Sequence, residues 1–147
     1  MSAGKQKSTK GGRSAARLAA VQGLYQMDIA ATDLNIVIRD LTNDPIGETA
    51  GETFASDEAQ PEMAEPDATF LAELLRGVVR RQRDIDTMVD NQLAAGWRLA
   101  RVDSILRAIL RAGVFELIER TEVPGRVVIN EYVEIAHAFL SHDDPKV

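Results

Sequence analysis

The sequence of 147 residues predicts an all-α protein with about five or six helices in one domain. Apolar residues recur at three- and four-residue steps along most of the chain, which is the period of one helix face. No alternation of apolar and polar residues continues long enough for a strand, and no internal repeat is evident. Because the chain contains no cysteine, its fold rests on a hydrophobic core without disulfides or thiolate metal sites.

Charge is distributed unevenly along a chain whose formal net charge is -6. Every charged side chain in residues 1–27 is basic, whereas residues 42–66 combine acids with prolines and glycines. We expect residues 1–12 to form a flexible basic arm and residues 42–66 to form a mobile acidic loop. The overall acidity argues against indiscriminate nucleic-acid binding, but the basic segment can still bind a polyanion.

The first predicted helix covers residues 14–31. Four side chains define its apolar face: Leu18, Val21, Tyr25 and Ile29. Arg13 and Arg17 lie beside this face, where they can flank a buried stripe while their guanidiniums stay in solvent. Asp33 is placed to cap a short second helix.

Helical periodicity resumes after Asp67, with a bend expected at residues 80–84. A helix that starts at Asp103 or Ser104 is apolar over most of its circumference, which predicts a place in the middle of the core. The last helix has Asn130 as its candidate N-cap.

The sequence favours a binding protein over an enzyme. Gly11 and Gly12 are not followed by the Lys-Ser/Thr pair of a phosphate-binding loop. His137 and His142 lack the helical spacing of zinc ligands, so we expect no metal and no cofactor. The chain has neither a long apolar run nor the apolar core of a signal peptide, which predicts a cytoplasmic protein without membrane contact.

Three segments together resemble the NusB family of transcription antitermination factors. They are RSAARLAAVQGLYQ (residues 13–26), WRLARVDSILRAILRAGVFEL (residues 97–117) and VPGRVVINEYVEIAHAF (residues 123–139). A fourth segment, FLAELLRGV, lies in the expected place between the first two. The resemblance covers about residues 13–147 apart from the acidic loop, and the order of its segments makes it specific.

The resemblance implies a fold of two small packed helical bundles and no enzymatic activity. Members of the family bind the boxA element of single-stranded nascent RNA together with NusE, a small-subunit ribosomal protein. With other Nus factors they help RNA polymerase to read through terminators, notably in ribosomal RNA operons. The expected partners are therefore boxA-like RNA, NusE and the polymerase elongation complex.

A single-stranded RNA site needs cations for the phosphates and a planar group on which a base can stack. Arg13 and Arg17 supply two guanidiniums one helical turn apart, and Lys10 extends this cationic surface along the arm. Tyr25 is a candidate stacking platform, although its place on the apolar face also fits a core aromatic. Ser14 belongs to the same surface, at a position where the family's opening helix is often denser in arginine.

Two other groups of arginines are candidates for different roles. Arg80, Arg81 and Arg83 either extend the RNA surface or serve as favourable cations at a helix end. Arg107 and Arg111 lie on the polar strip of a largely buried helix, so we expect them to pair with carboxylates.

Two alternatives to an antitermination factor remain. NusB-like domains also begin certain ribosomal RNA methyltransferases, of which this chain would be a fragment; the other alternative is a helical adaptor that binds only protein. Family members continue beyond SHDDPKV with a further helix, whose absence would uncover apolar surface of the second bundle. We therefore expect reduced stability or self-association, for example as a homodimer, and we expect Trp97 to close one bundle.

Overall fold

The computed structural model describes residues 9–43 and 65–140. The regular structure of these residues is helical, without a β-strand, which confirms the predicted all-α class. The helices are α1 (Thr9–Ala30), α2 (Leu34–Asn43), α3 (Ala68–Gln92), α4 (Ser104–Glu119) and α5 (Gly125–Leu140), with a 3-10 helix at Leu99–Arg101. The chain forms two compact units, Met1–Glu73 and Leu74–Val147, and the division between them falls within α3. None of the described helices is long and apolar enough to cross a membrane.

Helix α1 begins at Thr9 rather than at the predicted Ser14, so residues 9–12 of the predicted arm are helical. The rest of that arm, residues 1–8, and residues 44–64 of the predicted acidic loop lie outside the described part of the chain.

The buried face of α1 is rich in alanine. Ala16 and Ala20 are 0% exposed, whereas Ile29 of the predicted apolar face is 58% exposed. The predicted packing face is therefore only partly confirmed: Val21 is buried and Leu18 and Tyr25 are half-buried, but the face is centred on the alanines and does not extend to Ile29. Small side chains let a neighbouring helix approach closely, so alanines can form the contact face although they carry little apolar area.

Local signals for helix ends and bends are confirmed. The backbone N–H groups of Asn35, Phe70 and Ile105 donate to Asp33 Oδ2, Asp67 Oδ1 and Asp103 Oδ2 at 2.9, 3.1 and 3.2 Å. These bonds satisfy N–H groups that have no partner within their own helix. Helix α3 leaves helical geometry at Arg81, within the predicted bend.

Helix α5 begins directly after Pro124, whose carbonyl oxygen accepts from the N–H groups of Val127 and Val128 at 2.9 and 3.2 Å. Asn130 therefore lies inside the helix, and its predicted role as the N-cap was wrong. The Pro-Gly pair starts the helix earlier because proline is readily accommodated where a helix begins.

Helix α4 is buried along one side only. Its buried residues are Ala108, Ile109, Ala112, Phe115 and Glu116. Leu110 and Val114 are half-buried, and Leu117 is exposed. The predicted place in the middle of the core is therefore only partly confirmed. A helix with apolar residues around most of its circumference can be buried on all sides. The part that is actually buried depends on which of its sides the neighbouring elements cover.

Candidate nucleic-acid interface

Two of the predicted RNA-binding residues share one aromatic partner. The guanidinium carbon of Arg13 lies 4.6 Å from the ring centroid of Phe70, and that of Arg17 lies 5.2 Å from it. A cation over an aromatic face is attracted by the ring quadrupole, by about 0.5–2 kcal/mol depending on desolvation. The first turn of α3 thus holds the two guanidiniums of α1 together.

Hydrogen bonds at the start of α3 hold this ring in place. The carboxylate of Asp67 accepts from the Phe70 N–H, while the Asp67 N–H donates to the Gly12 carbonyl oxygen at 3.0 Å. The start of α3 is therefore tied to α1 beside Arg13. Phe70 itself is only 2% exposed, so its ring is packed on the sides that the arginines do not cover.

Exposure separates the roles that Arg13 and Arg17 can take. Arg13 is half-buried and Ser14 is exposed, whereas Arg17 is 3% exposed. The expectation that Arg17 stays in solvent was wrong, because the buried face of α1 is wider than the predicted stripe and includes this residue. Arg13 and Ser14 are thus accessible to a ligand, whereas Arg17 is almost completely buried.

The remaining two predicted RNA-binding residues, Lys10 and Tyr25, lie at different positions along α1. Lys10 is in the first turn of the helix. Tyr25 lies about three turns beyond Arg13 and is half-buried, so part of its surface remains accessible for stacking. Its role as a stacking platform stays a prediction.

The second basic cluster divides into two kinds of arginine. Arg81 forms an ion pair with Glu119 and a weaker one with Asp84 at 3.5 Å. The hydrogen bond to Glu119 is the main cause that raises the pKa of Arg81, whose charge is thus committed to an intramolecular pair. Arg80 and Arg83 are exposed and have no ion-pair partner among residues 9–43 and 65–140. Within this cluster, Arg80 and Arg83 therefore have the exposed charge that contact with an RNA phosphate requires.

The arginines of α4 have intramolecular partners. Arg111 donates from Nε and Nη2 to the two carboxylate oxygens of Asp86, both at 2.9 Å, which confirms the predicted pairing. Arg107 donates to backbone carbonyl oxygens that precede its helix, at Leu99, Ala100 and Val102. A bidentate arginine–carboxylate pair is geometrically specific, so Arg111 has a structural role.

The described residues offer no cluster for a metal ion. Within residues 9–43 and 65–140, no group of three or more His, Cys, Asp or Glu side chains is arranged to hold one. His137 is exposed on α5, and His142 lies outside the described residues.

The chain is similar to proteins of one family along nearly its whole length. The NusB family model matches residues 14–147. A curated relative from Rhodopseudomonas palustris is 47% identical over 133 residues, which are 90% of this chain and 71% of the relative. Relatives from Allorhizobium ampelinum and Maricaulis maris are both 48% identical, over 92% and 91% of this chain and 79% of their own lengths. All three carry the name transcription antitermination protein NusB. The extent of these matches shows that the chain belongs to the NusB family.

Proposed function

We propose that this NusB-family protein acts in transcription antitermination by binding boxA-type single-stranded nascent RNA together with NusE. It would support read-through by the RNA polymerase elongation complex and other Nus factors, notably in ribosomal RNA operons. The observation that carries the proposal is the pair of guanidiniums, Arg13 and Arg17, held on Phe70 at the acid-free end of the chain. The role requires no covalent chemistry and belongs to the cytoplasm, where nascent RNA emerges.

The accessible residues suggest how the RNA backbone is held. Arg13 contacts a phosphate directly, and Ser14, the next residue, is also exposed at this surface. Arg17 contributes through its charge without direct contact, because it lies in a poorly hydrated environment where electrostatic interactions are screened less. Lys10 belongs to the first turn of α1, where the helix dipole favours an anionic ligand, and Tyr25 stacks a base farther along α1.

NusE strengthens an interface that is modest by itself. This chain presents one half-exposed and one buried arginine at the start of α1, with Ser14 at a position between cations. Because each phosphate contact releases condensed counterions, few contacts give weak binding at physiological salt. We therefore expect the free protein to bind boxA-like RNA weakly and the complex with NusE to bind it more tightly.

The two alternatives are less well supported. Relatives that match 90–92% of this chain are named for antitermination, which favours an antitermination factor over a methyltransferase. An adaptor that binds only protein has no need for cations gathered on one ring beside an exposed Ser14. RNA binding that weakens with salt distinguishes the proposal from such an adaptor.

The test is a titration of fluorescently labelled boxA-like RNA at several salt concentrations, with and without NusE. We expect Arg13→Ala to weaken binding and to flatten the slope of log K against log salt by about 0.7 for one lost phosphate contact. Arg39→Ala is the matched control, because its side chain is 63% exposed on α2 and lies outside the predicted surface. Equal effects of the two substitutions, or equal binding of a scrambled RNA, would contradict the proposed site.

A further inference from the structure

The only tryptophan of the chain is exposed. Trp97 lies between α3 and α4 in the unit Leu74–Val147 and exposes 58% of its surface. The expectation that it closes a bundle was wrong. A tryptophan carries the largest apolar surface of any side chain, and leaving it in water gives up a large stabilising contribution to folding. An exposed tryptophan therefore calls for an explanation by binding.

The backbone around Trp97 is fixed by hydrogen bonds. The Trp97 N–H donates to the Ala94 carbonyl oxygen at 2.9 Å, and the Leu99 N–H donates to Asp90 Oδ1 at 2.7 Å. Nη1 of Arg107, which has two hydrogens to donate, lies within hydrogen-bonding distance of three carbonyl oxygens. These belong to Leu99 and Ala100 of the 3-10 helix and to Val102 directly after it, at 3.3, 3.1 and 2.7 Å. The side chain of Leu99 is buried and anchors the segment. The indole is therefore presented from a preorganised segment, which lowers the entropic cost of binding.

Two uncommitted cations accompany the indole. Arg98 and Arg101 are exposed, and neither has an ion-pair partner within the described ranges 9–43 and 65–140. The neighbouring carboxylates of Asp90 and Asp103 accept backbone N–H groups. Both guanidiniums remain available for an anionic ligand.

The residues before Trp97 are small. Ala94, Ala95 and Gly96 are all exposed, and a Cβ atom added at Gly96 would meet no atom within 4 Å. The backbone directly before Trp97 is thus open to solvent. The segment thus combines an accessible indole with small neighbours and two exposed cations. That combination fits a nucleobase followed by phosphates.

We infer that Trp97, Arg98 and Arg101 form a second contact for single-stranded RNA, separate from the site on α1. A base stacks on the indole, and the two guanidiniums contact phosphates on either side of that base. The inference rests on the proposed RNA-binding function and adds a contact in the second unit.

The experiment uses Trp97 as its own reporter, because the chain has no other tryptophan. Full-length protein is titrated with boxA-like RNA in the presence of NusE while indole emission and RNA anisotropy are recorded in parallel; tryptophan emission of NusE is subtracted with a Trp97→Phe sample. We expect quenching that follows the anisotropy curve. Trp97→Ala should weaken binding by about fivefold or more, and Trp97→Phe by less, since base stacking on an aromatic is strong.

Charge variants complete the test. Arg101→Ala should flatten the salt slope by about 0.7, whereas Arg126→Ala, another exposed arginine of the same unit, should not. RNA binding by anisotropy without indole quenching, and with unchanged affinity of Trp97→Ala, would overturn the second contact but leave the proposed function intact. No RNA binding in anisotropy would instead overturn the proposed function. Indole emission that shifts to shorter wavelength with rising protein concentration and no RNA would overturn the RNA contact in favour of contact between copies.

Discussion

At the scale of single residues, Phe70 joins two like charges. Arg13 and Arg17 lie one turn apart on α1, where two cations repel each other. The ring face attracts both guanidiniums and offsets part of that repulsion. Phe70 thus acts as a positioning residue for the predicted RNA surface, although nothing in its sequence context distinguishes it from an ordinary core phenylalanine.

Replacing Phe70 by leucine tests that role. Phe70→Leu keeps an apolar side chain but removes the ring face, so we expect RNA affinity to fall severalfold and the free energy of unfolding to fall by about 1–2 kcal/mol. Phe115→Leu is the control, because Phe115 is also buried but lies in the other unit. It should lower stability in urea unfolding and leave RNA affinity unchanged. Similar losses of RNA affinity in both variants would contradict the positioning role.

A second test at the scale of single residues compares alanine substitutions of Arg81 and Arg83. Arg81 is paired with Glu119, whereas Arg83 is exposed without an ion-pair partner among the described residues. We therefore expect Arg81→Ala to lower the melting temperature and to leave RNA affinity almost unchanged. Arg83→Ala should weaken RNA binding at low salt with an unchanged melting temperature. The opposite pattern would remove Arg83 from the RNA surface.

At the scale of elements, α3 and α4 approach each other closely at Gly77. A Cβ atom at this position would overlap the ring of Phe115, which is only 4% exposed and therefore has little room to move. Glycine is unfavourable inside a helix. Its place in the interior of α3 is explained by the volume that Phe115 needs.

Substituting this glycine measures how tightly the helices pack. We expect Gly77→Ala to lower the free energy of unfolding by about 1–3 kcal/mol, because overpacking outweighs the gain in helix propensity. Gly113→Ala on α4 is the matched control, since its Cβ atom would lie 3.4 Å from the Tyr132 ring, in ordinary contact. The control should be neutral or stabilising in thermal unfolding. Equal stability of both variants would show that the Phe115 ring can shift at little cost.

At the scale of the whole molecule, the described residues of the second unit form an apolar groove. The groove has a volume of about 260 Å³ and lies between α4 and α5. Its lining includes Leu110 and Val114, which are half-buried, and Ile129 and Val133, which are exposed. Exposed apolar area of this kind favours association, and the self-association expected from the sequence stays a prediction.

A charge placed in the groove tests whether the groove drives self-association of the protein. We expect the protein to enhance the fluorescence of an anionic naphthalene dye and to sediment faster as its concentration rises. Val133→Asp should reduce both effects, because Val133 is 47% exposed and a carboxylate there can stay hydrated. Glu134→Asp, at the exposed next position, is the control. Unchanged sedimentation of the Val133 variant would place any homodimer contact elsewhere.

The sequence alone determined that the chain is helical, where three of the helices start and where one of them bends. These features depend on contacts within about four residues, such as the carboxylate of Asp33 accepting from Asn35 or the break at Arg81. It also located the basic segment and, through three motifs, the family. Asn130 is the exception among the caps, because Pro124 supplied an earlier start that competed with it.

Tertiary structure decided which side chains are accessible. Arg17 is buried on Phe70, Arg81 is paired with Glu119, and Trp97 is left in solvent. The burial of Arg17 and the pairing of Arg81 depend on residues far apart along the chain. The exposure of Trp97 depends on the lack of a covering element among the described residues. A local sequence pattern encodes none of these outcomes. The arginines were therefore recognisable as cations from sequence, but only packing determines which of them can meet a phosphate, because burial and pairing set the free energy of each charge.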